Sequence, residues 1–242
     1  MDDSDHFQSG GFPTPSRPLT GLTLLAVEDS RFAFEAFRLL ALHSGARLRR
    51  ADSLTAAERH LAIYRPSAII VDLGLPDGDG TRLIAKLHHA IPRIGIILGT
   101  SGDDAADDAV RAAGADGFLA KPVRSLATFQ ELILSLLPGG CRPLEPRVVN
   151  DEEIRPDTLT YHEDLAHIAE LLRQSPEGRG LDYVAQFLTS IARSAGDLPL
   201  LSAGEALTIA RMQQRACLDQ VARITDLLRD RIDGRSALQR GI

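Results

Sequence analysis

Over residues 20–138 the chain alternates between short apolar runs and longer stretches with helical spacing. Leu22-Thr23-Leu24-Leu25-Ala26-Val27 is an apolar run without polar alternation, the pattern of a strand buried on both faces. Ala68-Ile69-Ile70-Val71 and Ile94-Gly95-Ile96-Ile97-Leu98 read the same way, with weaker strands over 47–51 and 117–120. Between them, apolar residues recur every three or four positions. Phe34, Phe37 and Leu40 predict a helix over 31–43, Leu54, Ala57 and Leu61 one over 54–64, and Leu83, Ile84 and Leu87 one over 81–89. Further helices are predicted over 104–113 and 125–137. Strictly alternating strands and helices need crossover connections, hence a parallel sheet covered on both faces: an α/β, doubly wound, five-stranded fold.

The remainder has a different character. Residues 1–19 hold Gly10, Gly11, Pro13, Pro15 and Pro18 among polar residues and read as a disordered arm. The α/β unit spans 20–138, and the stretch 139–157, with Pro143, Pro146 and Asp151-Glu152-Glu153, reads as a linker. Residues 158–242 are helical in pattern throughout, with helices expected over 158–174, 181–195 and 202–232. Leu181, Val184, Leu188, Ile191 and Ala195 form one heptad seam. Leu207, Ala210, Gln214, Cys217, Val221, Ile224 and Leu228 form another. Such seams predict an all-α helical bundle, closed within one chain or across a homodimer.

Composition narrows the functional classes. The net charge is −6, and residues 150–242 hold fifteen Asp/Glu against eleven Arg and no lysine, which argues against a DNA-binding output. No apolar run approaches a membrane span, and the start Met1-Asp2-Asp3-Ser4-Asp5 is unlike a secretory signal, so a cytoplasmic protein is expected. Cys141 and Cys217 have no ligand spacing and are expected to be free thiols. Lysine occurs only at Lys86 and Lys121, so a lysine here invites a chemical reason.

The chemistry gathers at the strand ends, where such sheets place their functional groups. Glu28 and Asp29 follow the first apolar run, Asp72 the third, Thr100 the fourth and Lys121 the fifth. Three carboxylates packed together repel unless a cation joins them. A hard divalent ion such as Mg²⁺ suits an all-oxygen donor set. A carboxylate in that setting can act as a nucleophile toward phosphorus, with an ammonium and a hydroxyl beside the transferred group.

The segment Val71-Asp72-Leu73-Gly74-Leu75-Pro76-Asp77-Gly78-Asp79-Gly80, the pair Glu28-Asp29 and the stretch Gly114-Ala115-Asp116-Gly117-Phe118-Leu119-Ala120-Lys121-Pro122 together resemble the receiver domains of two-component response regulators. The resemblance covers about residues 20–138 and implies a flavodoxin-like receiver fold. It implies Asp72 as the phosphoacceptor. Asp29, Asp72 and the backbone carbonyl of Gly74 would ligate Mg²⁺, with Glu28 acting through a water. Lys121 would pair with the phosphoryl group, Thr100 would turn inward after phosphorylation, and Phe118 would follow it. The stretch from Thr100 to Lys121 is one residue shorter than the family pattern, so Gly99 is the other candidate for the hydroxyl position. The implied partners are a histidine kinase or phosphotransfer protein and an output protein. Nucleic acid and membrane are not expected as partners, and the protein is expected to be a phosphoacceptor switch, not a turnover enzyme. Two other readings stay open: a phosphorelay carrier using His162 or His167, and a transcriptional regulator with an unrecognised DNA-binding bundle.

Overall fold

A computed structural model describes residues 12–138, 153–174 and 178–239. Five parallel strands form the central sheet: β1 (Thr23–Val27), β2 (Arg47–Ala51), β3 (Ala68–Asp72), β6 (Ile96–Ser101) and β7 (Gly117–Ala120), in the order β2-β1-β3-β6-β7. A small antiparallel hairpin, β4 (Gly74–Leu75) and β5 (Gly78–Asp79), comes after β3. The covering helices are α1 (Arg31–Ser44), α2 (Leu54–Ile63), α3 (Gly80–His88), α4 (Asp107–Ala112, after a short 3-10 turn at Asp104–Ala106) and α5 (Leu126–Leu136). Ser30, Ser53, Asp79 and Ser125 start α1, α2, α3 and α5 by accepting a backbone N–H with their side chains.

The sheet separates two apolar layers, as a doubly wound fold requires. Leu24, Ala26, Ile70 and Leu98 face α1 and α5, where Phe37 and Phe129 are fully buried. Leu25, Val27, Ile69 and Ile97 face the other layer with Leu83, Ile84 and Val110. Adjacent residues of one strand thus serve opposite cores, which is why these strands read as unbroken apolar runs.

Two sequence boundaries move. The arm expected over 1–19 lies partly outside the described residues; within them, Leu19 is fully buried in the α1/α5 core and its N–H bonds the Ser44 carbonyl at 2.9 Å. Most of the expected linker, with Cys141, also lies outside them. Its last part does not behave as a linker: Glu153 bridges to Ser125, and Ile154 is buried in the same core, its N–H on the Arg124 carbonyl at 2.8 Å.

The second unit is helical: α6 (Thr158–Gln174), α7 (Arg179–Ala195), α8 (Leu198–Met212) and α9 (Leu218–Gln239). The single helix expected over 202–232 is two helices, α8 and α9. The chain turns at residues 213–217, where Gln214 takes a left-handed conformation (φ 54°) and three N–H groups close back onto Ile209, Arg211 and Ala210. No glycine or proline marks the turn. It lets Ile224 and Leu228 fold back into the core formed by Leu165, Leu188 and Leu207, while Gln214 is exposed. Helix α8 also begins earlier than expected, at Leu198, because Asp197 caps it with Pro199 in its first turn. Among the described residues, no helix is long and apolar enough to cross a membrane.

Candidate functional site: an acidic pocket covered by the helical unit

The pocket lies at the carboxyl edge of β1, β3 and β7. Glu28 and Asp29 follow β1, Asp72 ends β3, and Lys121 follows β7. Oxygen atoms of Glu28, Asp29 and Asp72 all lie within 4.8 Å of one another. Lys121 Nζ is 2.7 Å from Glu28 Oε2 and 3.0 Å from Asp72 Oδ1, and all three side chains are buried. The main chain is pinned from outside: Arg50 donates from Nε to the Glu28 carbonyl at 3.1 Å and from Nη2 to the Asp29 carbonyl at 2.5 Å.

Burial dominates the electrostatics. It raises the Glu28 carboxyl well above the ordinary range, against the pull of Lys121 and reinforced by Asp72 and Asp29. Burial raises Asp29 too, with Asp72 adding to it and a hydrogen bond from Tyr183 opposing it. At Lys121 burial works against the ammonium, but Asp72 and Glu28 outweigh it and hold the group charged. One cation therefore sits among three carboxylates and leaves the cluster short of positive charge.

The helical unit packs over this edge. Tyr183 of α7 donates its hydroxyl to Asp29 Oδ2 at 2.5 Å. The Gln186 side chain, one turn on, lies so close against Gly74 that a methyl group placed on that glycine would collide with Gln186 Nε2. Asp164 of α6 accepts from the N–H groups of Arg31 (3.0 Å) and Phe32 (3.0 Å) and from Ser30 Oγ (2.7 Å). It thus caps the N-terminus of α1, where a carboxylate is favoured. Phe32 and Tyr161 rings meet at 5.5 Å, and Arg124 Nη2 donates to the Ser194 carbonyl at 2.6 Å. Beside these contacts a groove of about 1020 Å³ runs between α7, α8 and the sheet edge, with Asp72, Ser101, Ser190 and Arg193 in its walls.

The family model described as the response regulator receiver domain matches residues 24–133. That segment is a response regulator receiver domain. The KDP operon transcriptional regulatory protein KdpE of Escherichia coli (strain K12) is 36% identical over 101 residues, 41% of this chain and 44% of that protein. The transcriptional regulatory protein PmrA of Pectobacterium parmentieri is 31% identical over 118 residues, 48% of this chain and 52% of that protein. Among solved structures, the chemotaxis response regulator CheY4 of Vibrio cholerae aligns with a TM-score of 0.45 and 21% identity, over 49% of this chain and 100% of that one. The chain spans about half the length of the curated relatives it matches. Helices α6–α9 lie outside the matched receiver segment.

Within the receiver domain, the expected residues divide into groups. Glu28, Asp29, Asp72 and Lys121 converge, and Gly74 lies two residues past Asp72 at the start of the hairpin. Their donor set is made of hard oxygens at a spacing that suits a small divalent cation. Thr100 sits opposite Asp72 in the β3–β6 register, while Gly99 pairs with Val71 and abuts Val110. The Thr100 hydroxyl is fully buried and donates to the Leu119 carbonyl at 2.7 Å. Phe118 is half-buried against the layer that contains Val110. His162 lies beside Tyr161 at 5.9 Å, and His167 meets the edge of Phe187 at 6.0 Å. The helical-unit side chain hydrogen-bonded to a pocket carboxylate is a tyrosine.

Four site residues escaped the sequence reading. Asp164 stands two residues after His162, a position considered only for its histidine. Tyr183 and Gln186 lie off the heptad seam of α7 and follow no motif. Ser101 was hidden because the fourth strand was expected to end at 98; it runs to Ser101 and brings that residue to the groove that Asp72 lines. The two lysines part company: Lys86 is exposed and paired with Glu58 at 2.6 Å, whereas Lys121 is buried in the pocket.

Proposed function

We propose that the chain is a two-component response regulator in which Asp72 accepts a phosphoryl group from a histidine kinase or phosphotransfer protein, with Mg²⁺ as cofactor and α6–α9 as the responding unit. The supporting observation is the pocket itself: buried Glu28 and Asp72 paired with Lys121, half-buried Asp29 beside them, and Asp72 bordering a solvent groove. A divalent cation held by Asp29, Asp72 and the Gly74 carbonyl would supply charge neutralisation for the incoming phosphoryl oxygens. Lys121 pairs with Asp72 Oδ1 at 3.0 Å, and in this reading the other carboxylate oxygen is the nucleophile. A bond forms from that oxygen to phosphorus as the phosphorus–nitrogen bond of the donor histidine breaks, and the imidazole leaves with the electron pair. The new acyl phosphate carries more negative charge than the carboxylate it replaces, and Lys121 is placed to pair with it. The protein is a switch of protein–protein contacts, a cytoplasmic role, and not a turnover enzyme.

Asp72→Asn tests the reading. Incubation with a small acyl phosphate and Mg²⁺ should label the native chain with a base-labile phosphate, chelation of the metal should stop labelling, and the Asn variant should take none. Labelling that persists in the Asn variant would place the phosphoacceptor elsewhere. The transcriptional role printed for KdpE and PmrA does not extend by itself to α6–α9, whose acidic balance is unlike a phosphate-binding surface.

A further inference from the structure

We propose that α7 is a lid that competes with the divalent cation for the pocket, so that loading the pocket and releasing the helical unit are one coupled equilibrium. The inference rests on the reading of the pocket as a cation and phosphoryl site.

Two of the positions a cation needs are covered by this one helix. Asp29 engages the Ser30 N–H through Oδ1 at 2.9 Å and the Tyr183 hydroxyl through Oδ2 at 2.5 Å. Tyr183 is a donor in that bond, with its proton directed into the cluster, and a cation bound to the same oxygen would face that proton. Next to it, the Gln186 side chain lies against Gly74, the residue whose carbonyl is expected to ligate, more closely than a methyl group on that glycine would permit. A small divalent ion keeps several waters and tolerates little distortion. The Tyr183 ring, stacked on Phe187 at 5.6 Å, and the Gln186 amide stand directly beside Asp29 and Gly74.

The rest of the docking surface joins the Asp164 cap to the Phe32–Tyr161 ring contact and the Arg124–Ser194 hydrogen bond. Asp164 caps α1 directly after Ser30, and its partners Ser30, Arg31 and Phe32 continue straight on from Asp29. A shift of Asp29 toward a cation therefore pulls on the turn that Asp164 holds. By contrast, α6–α9 enclose their own apolar core, built from Leu165, Leu188, Leu207 and Ile224 among others, so the unit has what it needs to stay folded when it moves off. Two sites that oppose each other in this way are linked reciprocally: whatever factor docking costs the cation, the cation costs docking.

The test uses the full chain, Mg²⁺ alone as the probe, and Tyr183→Phe, which removes one hydroxyl and keeps the ring stack. Calorimetric titration gives Mg²⁺ affinity, and amide exchange at Arg31 and Phe32 reports the Asp164 cap. The expected result is about tenfold tighter Mg²⁺ binding in Tyr183→Phe, together with faster exchange of the two amides when Mg²⁺ is added to the native chain. Equal affinity in the two chains, or exchange indifferent to Mg²⁺, overturns the lid while leaving the labelling of Asp72 as an independent result. No Mg²⁺ binding in either chain overturns both the lid and the pocket reading beneath it.

Discussion

Lys121 carries more of this site than any other single residue. It is one of two lysines in the chain, and its ammonium lies within 3.0 Å of both Glu28 and Asp72 with almost no solvent contact. Removing one partner of a buried ion pair leaves the other charge uncompensated, which costs far more than the pair itself contributes. Lys121→Met should therefore lower stability by roughly 3 kcal/mol in urea unfolding. Adding Glu28→Gln to that variant should restore part of the loss, because the remaining buried charge is reduced. A Lys121→Met chain as stable as the native one would mean that Glu28 is already neutral in the folded state. The residues of this cluster were legible in sequence because each stands directly behind an apolar run, and the pleat and the crossover rule carry such positions to one edge. The hydroxyl beside them was less legible. Thr100, Gly99 and Ser101 are consecutive, and which one reaches Asp72 depends on where β6 ends, a matter of two residues that apolar periodicity does not resolve.

At the level of elements, β1, β3 and β6 could be read because burial on both faces leaves no polar interruption, whereas the break between α8 and α9 could not. A left-handed turn built on Gln214, which costs about 1–2 kcal/mol at a non-glycine residue, carries no glycine or proline signature, so a continuous heptad seam ran straight through it. The ties among the four helices are visible only in three dimensions. Asp197 accepts from Tyr161 of α6 at 2.9 Å, from Leu200 N–H of α8 at 3.2 Å and from Arg231 Nη2 of α9 at 2.6 Å, with a second bond from Arg231 Nε. Burial alone would raise this carboxyl, but the hydrogen bonds from Arg231, Leu200 and Tyr161 outweigh it and bring it below its ordinary value. A carboxylate that is more acidic folded than unfolded binds fewer protons in the folded state. Its contribution is thus fully present above the unfolded value near pH 4 and is lost as pH falls through the folded value. The helical unit should therefore lose stability below about pH 4 in thermal melts. Asp197→Asn should flatten that acid limb and cost about 1 kcal/mol at pH 7, a figure held down by partial exposure. An unchanged acid limb in Asp197→Asn would assign the acid sensitivity to other carboxylates.

For the molecule as a whole, the question is where the receiver ends. Composition places the boundary near Leu137, at the start of a Pro- and Gly-rich stretch, and treats residues 139–157 as a tether. The chain instead returns: Glu153 bridges to Ser125, the Ile154 N–H bonds the Arg124 carbonyl, and the Ile154 side chain is buried among the residues between the sheet, α1 and α5. Arg124 also donates to the Ser194 carbonyl at the end of α7, so the segment that receives Ile154 is the one that anchors the helical unit. Sequence reading missed this because one buried isoleucine amid Glu152-Glu153 and Arg155-Pro156 has no periodic companion. The two views predict different numbers. An isoleucine in a solvated tether can be replaced within about 0.5 kcal/mol, whereas truncating a buried one to alanine costs about 2–4 kcal/mol through lost burial and the cavity left behind. Ile154→Ala in the full chain should thus lower the unfolding free energy of the receiver by the larger amount, seen as a lower urea midpoint at an unchanged denaturant slope. It should also quicken proteolysis between the two units, since the Arg124 anchor sits on the loosened segment. A change below about 0.5 kcal/mol would return residues 153–157 to the linker and leave Tyr183, Asp164 and Arg124 as the ties between the two halves.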